Sequence, residues 1–190
     1  HLTISRMHED YYAMAFLNYV LGGDYSGRLN MNLRQDKGYS YGFYSSIMWH
    51  RVQSPWLARG SVQSEFTKES VYEVLKELSD IKNSRPISEE EFDHAKEGLI
   101  KGIPSQFETT GQIMGQLINL SAFELPDNYF QQSIEKLQSL EFKDVLKASR
   151  RHINDGGFQV VVVGDKEKIH EGLKDLPVPV LTTDIYGNHC

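Results

Sequence analysis

The stretch over residues 12–44 constrains the fold more than any other part of this sequence. It reads YAMAFLNYVLGGDYSGRLNMNLRQDKGYSYGFY, and it begins with apolar residues spaced three and four apart, as on one face of a helix. That spacing predicts a helix over residues 8–21, which ends at the adjacent Gly22 and Gly23. Glycine tolerates the left-handed backbone conformation that commonly terminates helices, so we interpret this pair as a structural hinge.

A short second helix follows the hinge. Leu29 and Leu33 lie four residues apart and predict its inward face, with Arg28 and Arg34 near its two ends. Gly38 then interrupts the helical pattern, and we interpret it as a further structural hinge.

An aromatic strand comes next, over about residues 39–50. Under strict alternation Tyr39, Tyr41 and Phe43 point to one face of the sheet, whereas Tyr44 points to the other. Two tyrosine hydroxyls therefore share one predicted face, and the spacing does not say which of them is turned toward a ligand.

The remaining pattern predicts an α+β fold, a two-layer domain with helices packed on one face of a mainly antiparallel sheet. Ser88 and Glu91 have the spacing of a capping box at the start of a long helix, which Gly102 and Pro104 interrupt. Further strands are predicted over residues 2–5, 56–62 and 160–163, the last as a buried strand. Polar turns are predicted over residues 53–55 and 154–157. Helices are predicted over residues 67–81, 113–122, 126–137, 141–152 and 166–173.

Composition excludes several classes of function. The 190 residues are enough for one domain with a sizeable core. The formal net charge of -6 argues against a nucleic-acid surface, and no apolar run reaches the roughly 18 residues that a membrane span needs. Because the one cysteine is Cys190, an internal disulfide is excluded. The compartment stays unknown, since the cytoplasm and a bacterial periplasm are both compatible.

The pattern that starts at Gly22 resembles a known family. It reads GG-x-x-x-x-RL-x-x-x-LR-x-x-x-G-x-x-Y and is similar to the second domain of a half-molecule in the pitrilysin, insulinase and mitochondrial processing peptidase family of zinc metallopeptidases. The segments PISEEEF at 86–92 and VVVVGD at 160–165 extend the resemblance over nearly the whole chain. It implies a processing-peptidase-like fold, with residues 1–190 as a single domain excised from the C-terminal part of a longer peptidase subunit.

The zinc motif of that family is missing from this sequence. The motif H-x-x-E-H places two imidazoles one helical turn apart to bind zinc, and its glutamate is the general base. The nearest approach has His94 and Glu97, but Gly98 stands where the second histidine would be. We therefore predict no catalytic residue in this chain alone and no metal bound by this domain, with zinc in a partner domain or subunit.

Other catalytic patterns are also weak. Seven histidines are scattered along the chain, and His8, His50, His152 and His170 show no helical spacing with another ligand, so we interpret them as solvent-facing. No GxSxG turn supports a Ser-His-Asp triad, and the double glycine lacks the spacing of a nucleotide-binding loop.

Arg34 and Tyr41 are the candidate functional residues. The resemblance implies that the matching arginine and tyrosine contact substrate near a zinc site in the other half. Arginine can hydrogen-bond a peptide carbonyl and a tyrosine hydroxyl can donate to an oxyanion, but neither activates water. The alternative is structural, with Arg34 at the negative end of a helix dipole and Tyr41 packed in the strand. We interpret Arg28 as structural and paired with an acidic neighbour.

The resemblance thus implies a non-catalytic domain of a pitrilysin-type zinc metalloendopeptidase. Such a domain closes a peptide chamber, supplies Arg34 and Tyr41 to a zinc site in another domain or subunit, and contacts an extended peptide along a strand edge. The alternative is a catalytically inactive structural or assembly protein with the same fold. An independent enzyme acting on a small molecule is disfavoured, because the sequence offers no metal ligands of its own.

Overall fold

A small antiparallel sheet forms one layer of the protein. The structure, a computed structural model, describes residues 1–154 and 156–188. In these residues the sheet has the order β1-β3-β2, with β1 (Leu2–Thr3), β2 (Ser40–Ile47) and β3 (Ser54–Val62). Ser54 and Pro55, which the sequence placed in a turn, already pair with β1, because the antiparallel ladder holds them opposite Thr3 and Leu2.

Helices pack against the sheet and against one another, so the predicted α+β class is confirmed. They are α1 (Tyr11–Asn18), α2 (Arg28–Asn30), α3 (Thr67–Asp80), α4 (Glu89–Lys101), α5 (Thr110–Ala122), α6 (Tyr129–Ser139), α7 (Phe142–His152) and α8 (Lys166–Leu173). Wider π-helical turns extend α1 over Tyr19–Gly23 and α2 over Met31–Asp36, and 3-10 turns lie at Ser64–Phe66 and Pro104–Phe107. No helix among the described residues combines the length and apolarity that a bilayer crossing requires.

The core lies between α1, the α2 segment and the sheet. Phe16 and Leu17 of α1 are fully buried, and Phe16 stacks on Phe92 of α4 with ring centroids 5.1 Å apart. Leu29 and Leu33 are also fully buried, which confirms the inward face predicted from their spacing. Removing each such side chain from water contributes about 1.5–3 kcal/mol, so this cluster holds the short second helix, which is too short to be stable alone.

The start of α4 confirms the predicted capping box. The Glu91 amide donates to Ser88 Oγ at 3.1 Å, and the Ser88 amide donates to Glu91 Oε2 at 2.9 Å. The helix ends at Lys101, before Gly102, and Pro104 opens the following 3-10 turn, as their backbone restrictions predict.

The buried strand predicted over residues 160–163 is wrong. No strand is assigned there, and the side chains of Val161 and Val163 are 86% and 94% exposed. Valine favours extended backbone, but a strand also needs a neighbour whose N–H and C=O groups complete the ladder. In the part of the chain that the structure describes, no strand pairs with this segment. The turn predicted just before it contains Asp155, which lies outside the described residues.

Candidate functional site

Arg28 anchors the helical segment that carries Arg34. Its Nε and Nη2 atoms each donate to the Glu91 carboxylate at 2.6 Å, and Nη1 and Nη2 donate to the carbonyls of Arg85 and Pro86 at 2.6 and 2.9 Å. The predicted acidic neighbour is therefore confirmed. Burial opposes ionisation of Glu91, but hydrogen bonds from Arg28 and Ser88 outweigh it and hold the pKa of that carboxyl below its ordinary value.

The double glycine is required for close packing and not for a left-handed turn, so the predicted conformation is wrong. Among the described glycines, positive φ angles occur at Gly38, with φ 69°, and at Gly187. A Cβ on Gly22 would lie 2.7 Å from the backbone nitrogen of Ser45, and one on Gly23 would lie 2.8 Å from Asn18 Nδ2. The end of α1 can therefore approach β2 only because these side chains are absent.

A β-bulge at the start of β2 sets the direction of the next side chains. The register with β3 shifts between Ser40 and Phe43, so one strand carries an extra residue there. Asn30 Oδ1 accepts the amide N–H of Phe43 at 3.2 Å, and Ser40 Oγ donates to the carbonyl of Ser61 at 2.7 Å. Asn30 and Ser40 are both buried positioning residues that the spacing did not reveal. Gly42 inside the strand was the one signal for a bulge.

Tyr41 points into solvent because of this bulge. Its side chain is 93% exposed, whereas Phe43 is buried, so the strict alternation that placed both on one face is wrong. Tyr39 is half-buried and stacks on Phe66 with ring centroids 4.3 Å apart. Of the two tyrosines that the sequence left open, Tyr41 therefore has the more exposed side chain.

Arg34 keeps its hydrogen-bond donors available. The side chain is half-buried, and its guanidinium carbon lies 5.0 Å from the centroid of the Tyr25 ring. Tyr25 is held in turn by Gln35, whose Nε2 donates to the tyrosine hydroxyl at 2.7 Å. Within residues 1–154 and 156–188, the Arg34 guanidinium has no hydrogen bond or ion pair. The aromatic ring orients the planar cation and leaves its N–H groups free to donate.

The incomplete zinc motif on α4 has a packing role. His94 Nε2 lies 3.0 Å from Ser26 Oγ, and Glu97 forms an ion pair with Lys101 one turn away. A Cβ on Gly98 would lie 2.1 Å from the hydroxyl oxygen of Tyr19, so a histidine where the second ligand would stand requires the Tyr19 side chain to move. In this motif His94 therefore contacts a neighbouring segment, and Glu97 pairs within its own helix.

The structure also brings together three residues that the sequence left apart. His152 Nε2 lies 2.6 Å from Asp10 Oδ2, and His8 Nδ1 accepts the Asp10 amide at 3.0 Å. These are metal-ligating residue types, but Arg151 also lies 3.4 Å from the same carboxylate and competes for its charge. His152 is largely buried, so its predicted solvent-facing position is wrong. Sequence reasoning missed the contact because 142 residues separate its partners.

Comparisons with known proteins identify the family. Residues 2–99, more than half of the 190-residue chain, match the family model for the Peptidase M16 inactive domain. A curated protein of Helicobacter pylori, Non-peptidase homolog YmxG, is 24% identical over 172 residues, which cover 87% of this chain and 38% of that protein.

Solved structures share the fold. A peptidase M16 inactive domain from Pseudomonas fluorescens is 25% identical with a TM-score of 0.71, and the match covers 81% of this chain and 36% of that one. A chain of Complex III2 from Candida albicans is 13% identical with a TM-score of 0.67, over 80% of this chain and 38% of that one. This chain thus spans well under half the length of these relatives. The family match confirms the resemblance to pitrilysin-type zinc metallopeptidases, and this chain belongs to the Peptidase M16 inactive domain family.

Proposed function

We propose that this inactive domain contacts the peptide substrate of a pitrilysin-type zinc metalloendopeptidase through Arg34 and Tyr41. The zinc site lies in another domain or subunit, and this domain closes the peptide chamber opposite it. One observation carries the proposal: a buried hydrogen-bond arrangement at a β-bulge holds Tyr41 almost fully in solvent, although an aromatic ring gains free energy by burial.

The chemistry of the two side chains fits this role. The Arg34 fork would donate to a peptide carbonyl, and the Tyr41 hydroxyl would donate to the oxyanion that develops on a carbonyl under attack, for which a zinc ion in the partner would supply the activated water. Neither group removes a proton from water at neutral pH, so catalysis requires a partner that holds the metal. In the described sheet β2 is an edge strand, which supports an extended peptide lying beside it.

A structural role in an assembly is the second candidate function. It is supported by the likeness to YmxG, which is named a non-peptidase homolog, and by the fold shared with a chain of Complex III2. In that role the Arg34 side chain serves only to pack on Tyr25, and Tyr41 contacts a neighbouring subunit.

A reconstituted peptidase tests the proposal. The chain is combined with the zinc-bearing domain or subunit of the same system, and cleavage of a quenched fluorescent peptide is measured. Tyr41→Phe is expected to lower kcat/KM by about 10²-fold, the typical loss on removing one oxyanion donor. Arg34→Ala is expected to lower it by about 10-fold or more through lost hydrogen bonds to the peptide.

Two matched variants control for general effects. Tyr44→Phe removes a hydroxyl from the same strand, and Arg59→Ala removes an exposed cation from the neighbouring strand. Both should leave kcat/KM unchanged. Full activity of the Arg34→Ala and Tyr41→Phe complexes would refute the assigned roles. A complex that assembles normally but binds no peptide would favour the structural candidate instead.

A further inference from the structure

A cavity of about 370 Å³ lies beside the N-terminal end of α1, where α5 and α6 approach it. Neither Arg34 nor Tyr41 lines it. Its volume falls within the range of small-molecule sites in proteins. The walls are mostly aromatic and aliphatic, and among the described residues that line it one is charged, namely Arg6.

Arg6 is a buried cation without an anion. Its side chain is 8% exposed, and its guanidinium carbon lies 3.5 Å from the centroid of the Tyr11 ring. Nη2 donates to the hydroxyl of Tyr129, and in the described part of the chain no carboxylate forms an ion pair with Arg6. The ring centroids of Phe123 and Tyr129 also lie 5.9 and 5.1 Å from the guanidinium carbon. Neutral rings and one hydroxyl offset only part of the cost of removing a guanidinium from water. This wall of the cavity therefore lacks a negative charge.

Neutral phenols line the cavity together with the cation. Burial raises the pKa of Tyr11, and burial likewise raises the pKa of Tyr12 to about 12. Both phenols therefore stay protonated at neutral pH and remain possible donors within the cavity that they line. The hydroxyls of Tyr12 and Ser133 lie 2.9 Å apart, which continues the polar wall along α6. Leu99 and Ile103 add apolar surface to the lining.

We propose that this cavity binds a small apolar monoanion, a carboxylate on an aromatic or aliphatic body. The carboxylate pairs with Arg6, whose fork matches its two oxygens, and the apolar body lies among the rings of Trp49, Phe123 and Phe130. One cation neutralises one charge, so a phosphate dianion would leave a second charge buried and unpaired. The ligand is therefore a free organic acid or the C-terminal carboxylate of an apolar peptide. This inference is independent of the role proposed for Arg34 and Tyr41.

Titration calorimetry with 4-phenylbutyrate and its neutral amide tests the charge requirement. The acid is expected to bind saturably and the amide about tenfold or more weakly, because only the acid forms charge-assisted hydrogen bonds with the guanidinium. Tryptophan fluorescence should change on binding, since Trp49 lines the cavity. Equal affinity for the acid and the amide, or no binding of any acid tested, overturns the proposal.

Two variants locate the site. Arg6→Met removes the charge at similar length and should abolish the preference for the acid, whereas Arg59→Met, at an exposed strand position outside the cavity, should keep it. If Arg6→Met does not fold, ligand binding is measured with Leu120→Trp instead. Leu120 is a half-exposed residue of α5 that lines the cavity, so the larger side chain should fill it and block binding. Unchanged binding by a folded Leu120→Trp protein contradicts the assigned location.

Titration with a peptide distinguishes a small organic acid from a peptide C-terminus as the source of the carboxylate. The tripeptide Phe-Ala-Phe is titrated with a free C-terminus and with an amidated one. Preferred binding of the free peptide over 4-phenylbutyrate identifies a peptide C-terminus as the ligand class, and the reverse preference identifies a small organic acid. If neither free acid binds more tightly than its amide, the proposal fails.

Discussion

Arg28 and Arg34 lie six residues apart on one helical segment, yet their surroundings are opposite. Arg28 is 7% exposed and donates four hydrogen bonds to a carboxylate and two backbone carbonyls. Arg34 is half-buried, packs over one aromatic ring and has no hydrogen-bond partner in the described chain. A side chain with all its donors satisfied contributes to stability, whereas one with free donors can bind a ligand. The comparison therefore separates an arginine that stabilises the fold from one whose donors are free and which we propose contacts peptide, and four experiments can break or sharpen it.

Replacing Arg28 should have the largest effect on stability. Arg28→Met leaves the partly buried Glu91 carboxylate without its cation and two backbone carbonyls without a donor. We expect a loss of about 2–4 kcal/mol in the free energy of unfolding, below the upper range for a fully buried pair because Glu91 remains partly in solvent. Chemical denaturation measures it, with Arg59→Met as the matched control. A loss below about 1 kcal/mol would place Arg28 in the same class as Arg34.

Gly22→Ala should have the next largest effect. The new methyl group would lie 2.7 Å from the Ser45 backbone nitrogen, so either β2 or the end of α1 must move. We expect a destabilisation of about 1–3 kcal/mol, as for other overpacked sites. Gly111→Ala is the control, because a methyl group there meets nothing within 4 Å and lies in a helix that alanine favours. Equal stability of the two variants in thermal unfolding would show that this contact is not tight.

Acidification should weaken the ion pair between Arg28 and Glu91 over a defined pH range. The folded-state pKa of Glu91 lies below its ordinary value of 4.5, so the unfolded chain takes up the proton first. The stabilisation is therefore fully present above about pH 4.5 and is lost as the pH falls through the folded-state pKa. Unfolding midpoints measured from pH 7 to about pH 3 should fall more steeply for the natural chain than for Glu91→Gln, which has no proton to bind at this site. Identical pH profiles would contradict this assignment.

Arg34→Ala and Tyr41→Phe should have the smallest effect on stability. Neither side chain makes a hydrogen bond or ion pair in the described structure; Tyr41 is exposed, and half-buried Arg34 packs only over the Tyr25 ring. Substitutions at surface positions change the free energy of unfolding by about 0.5 kcal/mol or less, and the lost packing on Tyr25 adds up to about 1 kcal/mol for Arg34. The same variants are expected to reduce peptidase activity in the reconstituted complex. A large loss of stability in either variant would assign that residue to the fold, as for Arg28.

Local rules predicted the features that depend on neighbours in sequence. The inward face of Leu29 and Leu33 and the capping box at Ser88 need only a few adjacent residues, and both are confirmed. The strand predicted at residues 160–163 failed because valine composition says nothing about a partner for the ladder.

The candidate site shows the same division. The residue pair came from a motif, but the direction of Tyr41 depends on a hydrogen bond from Phe43 to Asn30, thirteen positions away. The contact between Asp10 and His152, 142 positions apart in the sequence, has no signature in either segment. Side-chain direction in a strand follows from its alternation only where the ladder is regular.

The bulge in β2 makes the exposed tyrosine a residue that the sheet does not need. From Ser40 to Phe43 the strand advances three residues, while its partner β3 advances only two, from Val62 to Gly60. A chain from which Tyr41 is deleted would therefore bring Ser40 and Phe43 into regular pairing, with both still turned toward the core. A relative that is one residue shorter at this point of β2 would thus be expected to have a regular strand and no exposed tyrosine hydroxyl here.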